Sequence, residues 1–143
     1  MQPRVLIDTD ILSQIMRKHP RAVKNAQTYL SVHQHFHFSL ITRYEILRGL
    51  ESKQARTQIK TFHRFCEISH VLPVTDIVIL KASEIYGVLH REGQLIGDAD
   101  ILIAATAIAH NIAVVTNNLR HFQRIQGLKI HNWLDENYQP ASE

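Results

Sequence analysis

The residues of this chain best suited to chemistry are acids and amides that stand where apolar runs end. Asp8 directly follows Val5-Leu6-Ile7, and Thr116, Asn117 and Asn118 directly follow Ala113-Val114-Val115. Glu45 falls in the first turn of the helix expected after an apolar run at 36–40, and Asp98 and Asp100 open an alanine-rich segment. Carboxylates held together repel one another unless they are protonated or a cation lies between them. A hard divalent ion resolves the conflict, and Mg²⁺ typically takes one or two carboxylates together with waters and substrate phosphates. Such an ion acidifies a bound water and neutralises charge developing on a phosphate during in-line attack. The chemistry these residues point to is phosphodiester hydrolysis.

Each position also has a purely structural reading. Asp8 is a possible helix N-cap, although Thr9 or Asp10 would serve that role better. Thr42-x-x-Glu45 matches a capping box. Against that, Thr42, Glu45 and Gly49 share one helix face opposite Ile46, Leu47 and Leu50, and Gly49 leaves room for a ligand. Asp98 and Asp100, two apart on a helix, point about 200° from each other. Asp98 beside Gly97 is then the natural N-cap, and Asp100 is free to act as a ligand. Asn117 and Asn118 also suit a turn.

These side chains need a scaffold that brings them together. Val5-Leu6-Ile7 reads as a buried central strand. Ile11, Leu12, Ile15 and Met16 recur at helical spacing up to Pro20, and Ala22, Val23, Ala26, Tyr29 and Leu30 mark a second helix. A strand at 36–40 leads to a helix burying Ile46, Leu47 and Leu50, then to an amphipathic helix over 53–66. Thr75 is the expected N-cap of a long helix with Ile79, Ala82, Tyr86 and Leu89 inward and Gly93 as its stop. Residues 98–110 suit a buried helix with Asn111 at its C′ position, 113–116 a buried strand, and 128–130 a third or edge strand. Strands alternating with helices define an α/β sandwich around a mostly parallel sheet. Ligands bind such sheets beyond the carboxyl ends of the strands, where all the polar positions above converge.

Composition narrows the function classes. The 143 residues fit one domain, read as 1–136 with a short polar tail at 137–143. Hydrophobic residues at 45% and charged residues at 20% exclude compositional disorder, and a net charge of +3 permits a nucleic-acid partner without requiring one. Cys66 is the only cysteine, which excludes an internal disulfide and a cysteine-based zinc site; a buried thiol is expected. The start does not read as a signal peptide, and the apolar stretch at 101–109 is far shorter than the ~20 residues of a membrane span. A cytosolic protein is expected. His33, His35 and His37 alternate with phenylalanines and read as a solvated edge or interface rather than a metal site. Arg17, Lys18, Arg21, Lys24, Lys60 and Arg64 read as solvated helix faces, and Phe122 as core. Arg43, Arg48, Arg120 and Arg124 flank the proposed edge and are candidates for holding nucleic-acid phosphates.

Taken in series, four segments resemble PIN domains. Val5-Leu6-Ile7-Asp8-Thr9-Asp10-Ile11-Leu12-Ser13 resembles the family's opening, and Ile41-Thr42-Arg43-Tyr44-Glu45-Ile46-Leu47-Arg48-Gly49 its glutamate helix. Ile96-Gly97-Asp98-Ala99-Asp100 is similar to the segment of the second catalytic aspartate, and Val115-Thr116-Asn117-Asn118 with Phe122, Gly127-Leu128 and Asn132-Trp133 to the closing segment of VapC-type toxins. The resemblance implies a three-layer sandwich and a metal-dependent endoribonuclease leaving a 5′-phosphate and a 3′-hydroxyl. Asp8, Glu45 and Asp100 would be its acidic triad around Mg²⁺ or Mn²⁺. The fourth position, often aspartate, falls on Asn118, so the site carries less negative charge. Thr9, Thr42, Thr116 and Asn117 would hydrogen-bond the carboxylates or metal-bound waters. Asp10 stands where many relatives have asparagine. The resemblance further implies a homodimer, a VapB-like antitoxin and RNA substrates such as tRNA. Two other readings stay open. The strand-terminal Asp8-Thr9-Asp10 is shared with aspartate-based phosphatases, which want Thr or Val where this chain has Leu12. Asn118 in place of a carboxylate fits a non-catalytic RNA-binding module on the same fold.

Overall fold

The computed structural model describes residues 2–140. Val5–Ile7 forms β1, Thr9–Met16 α1, Pro20–His33 α2, His37–Ser39 β2, Leu40–Ser52 α3 and Arg56–Glu67 α4. His70–Leu72 forms β3, Asp76–Arg91 α5, Asp98–Ala109 α6, Ala113–Val115 β4, Leu119–Phe122 α7 and Ile130–His131 β5. Every strand pairing is parallel: β1 with β4, β4 with β5, and β2 with β3, with β2 lying beside β1. The expected α/β sandwich with a mostly parallel sheet is the fold observed.

Period-2 alternation explains the three layers. Val5 and Ile7 of β1 and Ala113 and Val115 of β4 face a cluster containing Ile11, Tyr29, Phe38, Phe62 and Trp133. Leu6 and Val114, on the opposite face, join Val78, Leu89, Ile103 and Phe122. Strands buried on both faces have no polar side, which is why they read as unbroken apolar runs. The register sets Ile7 against Val115, so Asp8 and Thr116 leave the sheet side by side. The ladder continues one step further, with Asp8 N donating to Val115 O at 2.9 Å and Thr116 N to His131 O at 2.8 Å.

Several expectations are corrected. Asp8 itself caps α1, accepting from Thr9 N at 2.8 Å, because its extended backbone at the strand end is already cap geometry. Gly97 rather than Asp98 is the N-cap residue of α6. Helix α3 starts at Leu40 with Ser39 as its cap, so Thr42 and Glu45 form no capping box and Glu45 lies in the second turn. Pro20 opens α2, its fixed φ and missing N–H suiting the first helical position; the break after α1 falls at Lys18, whose φ is 63°. On α5, Val78 and Ile85 face inward while Ile79 and Tyr86 are exposed. Both stripes are apolar at helical spacing, so periodicity alone could not choose between them. Strand β3 was not anticipated: it is short, partly exposed and carries Pro73 just beyond its end. The long helix nevertheless starts at the expected Thr75 cap, and Asn111 takes the expected left-handed conformation at φ 53°.

The alternating histidines do not share a strand face. His33 ends α2 and bonds Gln2 O, His35 bonds Ile68 O, and His37 in β2 bonds the Tyr29 hydroxyl at 3.0 Å. Cys66 is buried as expected. Tyr138, in the segment read as a polar tail, packs against the Trp133 cluster. Among the described residues no helix is long and apolar enough to cross a membrane.

His37 makes the fold acid-sensitive. Burial, reinforced by the nearby His70, lowers its pKa to about 4. The unfolded chain takes up this proton near the usual histidine value, about 6.5, and the folded chain only near 4. The unfolded state therefore binds more protons in that window, and stability falls as pH drops through it. Urea denaturation at steps from pH 7 to 4.5 should show the midpoint of the parent falling relative to that of a His37→Gln protein, in which the buried carboxylates are unchanged and the histidine contribution is gone.

Candidate active site

The site begins at the ends of β1 and β4. Asp8 is only 4% exposed, and both its carboxylate oxygens are held: one accepts from Thr9 N, the other from Thr116 Oγ1 at 2.8 Å. Asp10 lies in the first turn of α1, where its oxygens accept from Ile11 N at 2.7 Å and Asn117 N at 2.9 Å. Burial raises the pKa of Asp8 well above the carboxylate range, and the charges of Asp10 and then Asp100 add to the rise. The hydrogen bonds from Thr116 and Thr9 work the other way without cancelling it. Asp10 is raised too, again chiefly by burial. Negative charge is thus confined here against its own repulsion and against desolvation.

Asp100 reaches the same place from the first turn of α6. Its Oδ2 accepts from His121 Nδ1 at 2.9 Å and from the Asn118 amide nitrogen at 3.4 Å. Asn118 also donates its backbone N–H to Thr116 Oγ1 at 2.9 Å, tying the loop after β4 back to the strand end. Asn118, the candidate fourth metal-site position through an amide carbonyl or a water, turns its amide nitrogen toward Asp100. Asn117 acts through its backbone on Asp10, and its side-chain oxygen accepts from Asn132 at 2.9 Å.

Glu45 stands to one side. Its Oε1 accepts from Thr9 Oγ1 at 2.6 Å, and Thr9 Oγ1 lies 3.1 Å from the hydroxyl of fully buried Thr42. Its Oε2 pairs with Arg48 at 3.5 Å. Glu45 is therefore coupled to Asp8 through Thr9. Among the described residues no three acidic, histidine or cysteine side chains converge as a ready-made ligand set for a metal. Asp98, as expected, is separate: it borders a different surface hollow with Ile79 and Tyr86.

The arginines divide. Arg48 leans over the Tyr44 ring at 5.3 Å and contacts Glu45, and Arg120 is exposed beside the site. Arg124 instead clasps the carbonyls of Gln94 and Leu95, at 3.3 and 2.9 Å, holding the loop that leads into α6. Arg43 is half-buried, and its charge reaches the Cys66 thiol of α4.

His121 was missed. It lies three residues after Asn118, the spacing that puts two side chains on one face of the single-turn helix α7. That spacing was readable, but the residues carried no periodicity long enough to announce a helix. Asp8, Asp10 and Asp100 offer only oxygen donors, the charges of Asp10 and Asp100 reach Asp8, and among the described residues no lysine or arginine is paired to Asp8. Such a set fits a hard divalent cation that keeps waters and substrate phosphate in its remaining positions.

Comparison with known proteins places this geometry. Residues 5–128 match the PIN domain family model. The chain belongs to the PIN-domain family. Its relatives place it with the VapC-type ribonucleases. Ribonuclease VapC1 of Methanocaldococcus jannaschii is 30% identical over 133 residues, covering 92% of this chain and 89% of that protein. The tRNA(fMet)-specific endonuclease VapC of Salmonella typhimurium is 33% identical over 96 residues, covering 66% of this chain and 73% of the relative. Among solved structures, VapBC2 from Rickettsia felis bound to a promoter DNA fragment superposes with a TM-score of 0.81 at 27% identity, covering 92% and 99% of the two chains.

Replacing Asp8 separates the site's charge from its shape. An Asp8→Asn side chain can still accept from Thr9 N but brings no buried charge. Without divalent ions the variant should melt above the parent at pH 7.5. That advantage should shrink toward pH 4, because the folded parent takes up the proton at a higher pH than the unfolded chain does. Differential scanning calorimetry at both pH values measures it; equal melting at pH 7.5 would contradict the confined-charge account.

Proposed function

We propose that this VapC-type protein is a divalent-cation-dependent endoribonuclease toxin that hydrolyses RNA phosphodiester bonds, with tRNA the favoured substrate. The observation that carries the reading is the buried Asp8 carboxylate at the strand end, near enough to Asp10 and Asp100 for their charges to oppose its ionisation and held by neutral donors alone. Asp8 and Asp100 would hold Mg²⁺ or Mn²⁺, with Asp10 and Glu45 completing the negative surround. When bound, the ion would acidify a water and neutralise charge gathering on the scissile phosphate.

The chain's own residues supply the order. Thr116 and the Thr9 amide fix the Asp8 carboxylate, Asn117 and Ile11 fix Asp10, and His121 and Asn118 fix Asp100. In the reaction, a water oxygen bonds to phosphorus as the bond to the 3′ oxygen breaks. The water's proton passes to a site carboxylate, whose raised pKa suits it as acceptor, and the departing 3′ oxygen takes up a proton from solvent. The products are a 5′-phosphate and a 3′-hydroxyl. With both oxygens hydrogen-bonded, Asp8 is poorly placed to act as the nucleophile of an aspartate-based phosphatase. Exposed Arg120, and Arg48 once it gives up its contacts with Glu45 and Tyr44, would meet RNA phosphates near the same edge.

The partners follow the same reading. The solved neighbours from Rickettsia felis and Salmonella typhimurium are VapBC complexes, which supports a VapB-like antitoxin for this chain; a cytoplasmic location is part of the same proposal. Ile77, Leu80, Tyr86 and Val88 expose apolar surface along α5, which supports a homodimer.

Incubating purified protein with a total tRNA pool tests the activity. Discrete cuts in Mg²⁺ or Mn²⁺ that vanish with EDTA and in Asp8→Asn are expected. RNA binding without cleavage of tRNA, mRNA or rRNA would replace the enzyme with the binding-module reading. His121→Ala should slow cleavage by roughly 10–100-fold, the usual cost of removing a group that orients a metal ligand.

A further inference from the structure

A cavity of about 440 Å³ opens beside Glu45, between α1, α3 and the start of α4. Its volume lies within the range of sites that hold small organic ligands. The hollow is continuous with the active site, because Thr9 and Glu45, joined by their 2.6 Å hydrogen bond, form part of its wall. Met16, Ile46 and Leu50 give it an apolar side, while Arg17 and Lys53 stand at its margin. Those two cations end α1 and α3, where a positive charge also suits the helix dipole. That local role does not account for both helices delivering their cations to one hollow.

Gly49 is the second observation. It lines the same cavity from within α3, where glycine weakens a helix relative to alanine. Its φ is not positive, and a Cβ built there would meet nothing within 4 Å. Neither the backbone nor the packing asks for glycine; what the missing side chain leaves is room in the cavity.

We infer that this cavity is a nucleotide subsite, taking one unpaired nucleotide of the RNA next to the scissile bond. The inference rests on the ribonuclease reading and adds to it the place and chemistry of substrate recognition. The base lies against Met16, Ile46 and Leu50, with the helix backbone at Gly49 as the floor. Arg17 and Lys53 meet the adjoining phosphates. Single-stranded RNA fits this shape, since unstacked bases can be splayed into protein pockets while cations hold the backbone. Paired bases in a stack could not enter.

The test uses Asp8→Asn full-length protein in EDTA and a fluorescently labelled mixed-sequence 12-nucleotide single-stranded RNA, read by anisotropy. Gly49→Phe fills the cavity and should weaken binding at least about tenfold, a loss on the scale of removing one stacked base. Gly49→Leu should give a smaller loss in the same direction. Arg17→Gln with Lys53→Gln should lessen the steepness of log Kd against log salt by about 1.4, the value for two phosphate contacts on a single strand. Lys24→Gln on exposed α2 should change neither. Thermal melts identify any variant that fails to fold, and the Gln pair keeps the test decisive if Gly49→Phe does. Unchanged RNA binding in both the Gly49 variants and the Gln pair, while the parent still cuts tRNA, would overturn the subsite and leave the nuclease standing. RNA binding intact but antitoxin binding lost in Gly49→Phe would give the cavity to the protein partner instead. If the parent neither cuts nor binds RNA, the ribonuclease reading falls, and the subsite with it.

Discussion

The structure depends on keeping a carboxylate charge at the buried end of a parallel strand pair. Asp8 cannot move to water, because the β1–β4 register holds its backbone against Val115 and α1 begins at the next residue. Desolvation and the neighbouring acids both oppose its ionisation. The fold answers with neutral donors, Thr116 and the Thr9 amide, rather than with a cationic side chain. Neutral donors orient the carboxylate without cancelling its charge, so its attraction for an external cation is kept. A lysine or arginine in that place would have stabilised the fold and closed the site.

The same economy extends outward. Thr116 serves twice, donating to Asp8 and accepting from Asn118. Asn118 and His121 then fix Asp100, and Asn117 links Asp10 to Asn132 in the segment after β5. Loops from β1, β4, β5 and α6 are thereby cross-linked through hydroxyl, amide and imidazole side chains. Chemically weak positions in the sequence become the struts of the site. On the opposite flank, Thr9 links Glu45 to this network, so the hollow beside α3 shares its wall with the acidic edge.

Much of this was legible in the residues. Unbroken apolar runs at Val5–Ile7 and Ala113–Val115 announced strands buried on both faces, and a parallel sheet collects polar strand ends on one edge. Asp8, Asp100, Thr116 and Asn118 could be assigned to that edge because each is separated from a strand or helix boundary by only a residue or two. The inward face of α5 could not be chosen, since two overlapping stripes are equally apolar and only packing on α6 separates them. Arg124 was assigned to the edge by position in the chain, yet its long side chain takes its direction from the carbonyls within reach.

By itself the sequence determined the order of the elements, the parallel sandwich and the acids at its edge, because strand and helix periodicities and short-range caps are local properties. Only tertiary structure decided which groups touch. It made Asp8 both cap and buried charge, set Glu45 behind Thr9, turned the Asn118 amide nitrogen to Asp100, and brought His121 into the site. Those outcomes depend on contacts between different elements, separated by 18 residues for Asp100 and Asn118 and by 108 for Asp8 and Thr116, and no local pattern encodes the direction of a side chain across such a gap.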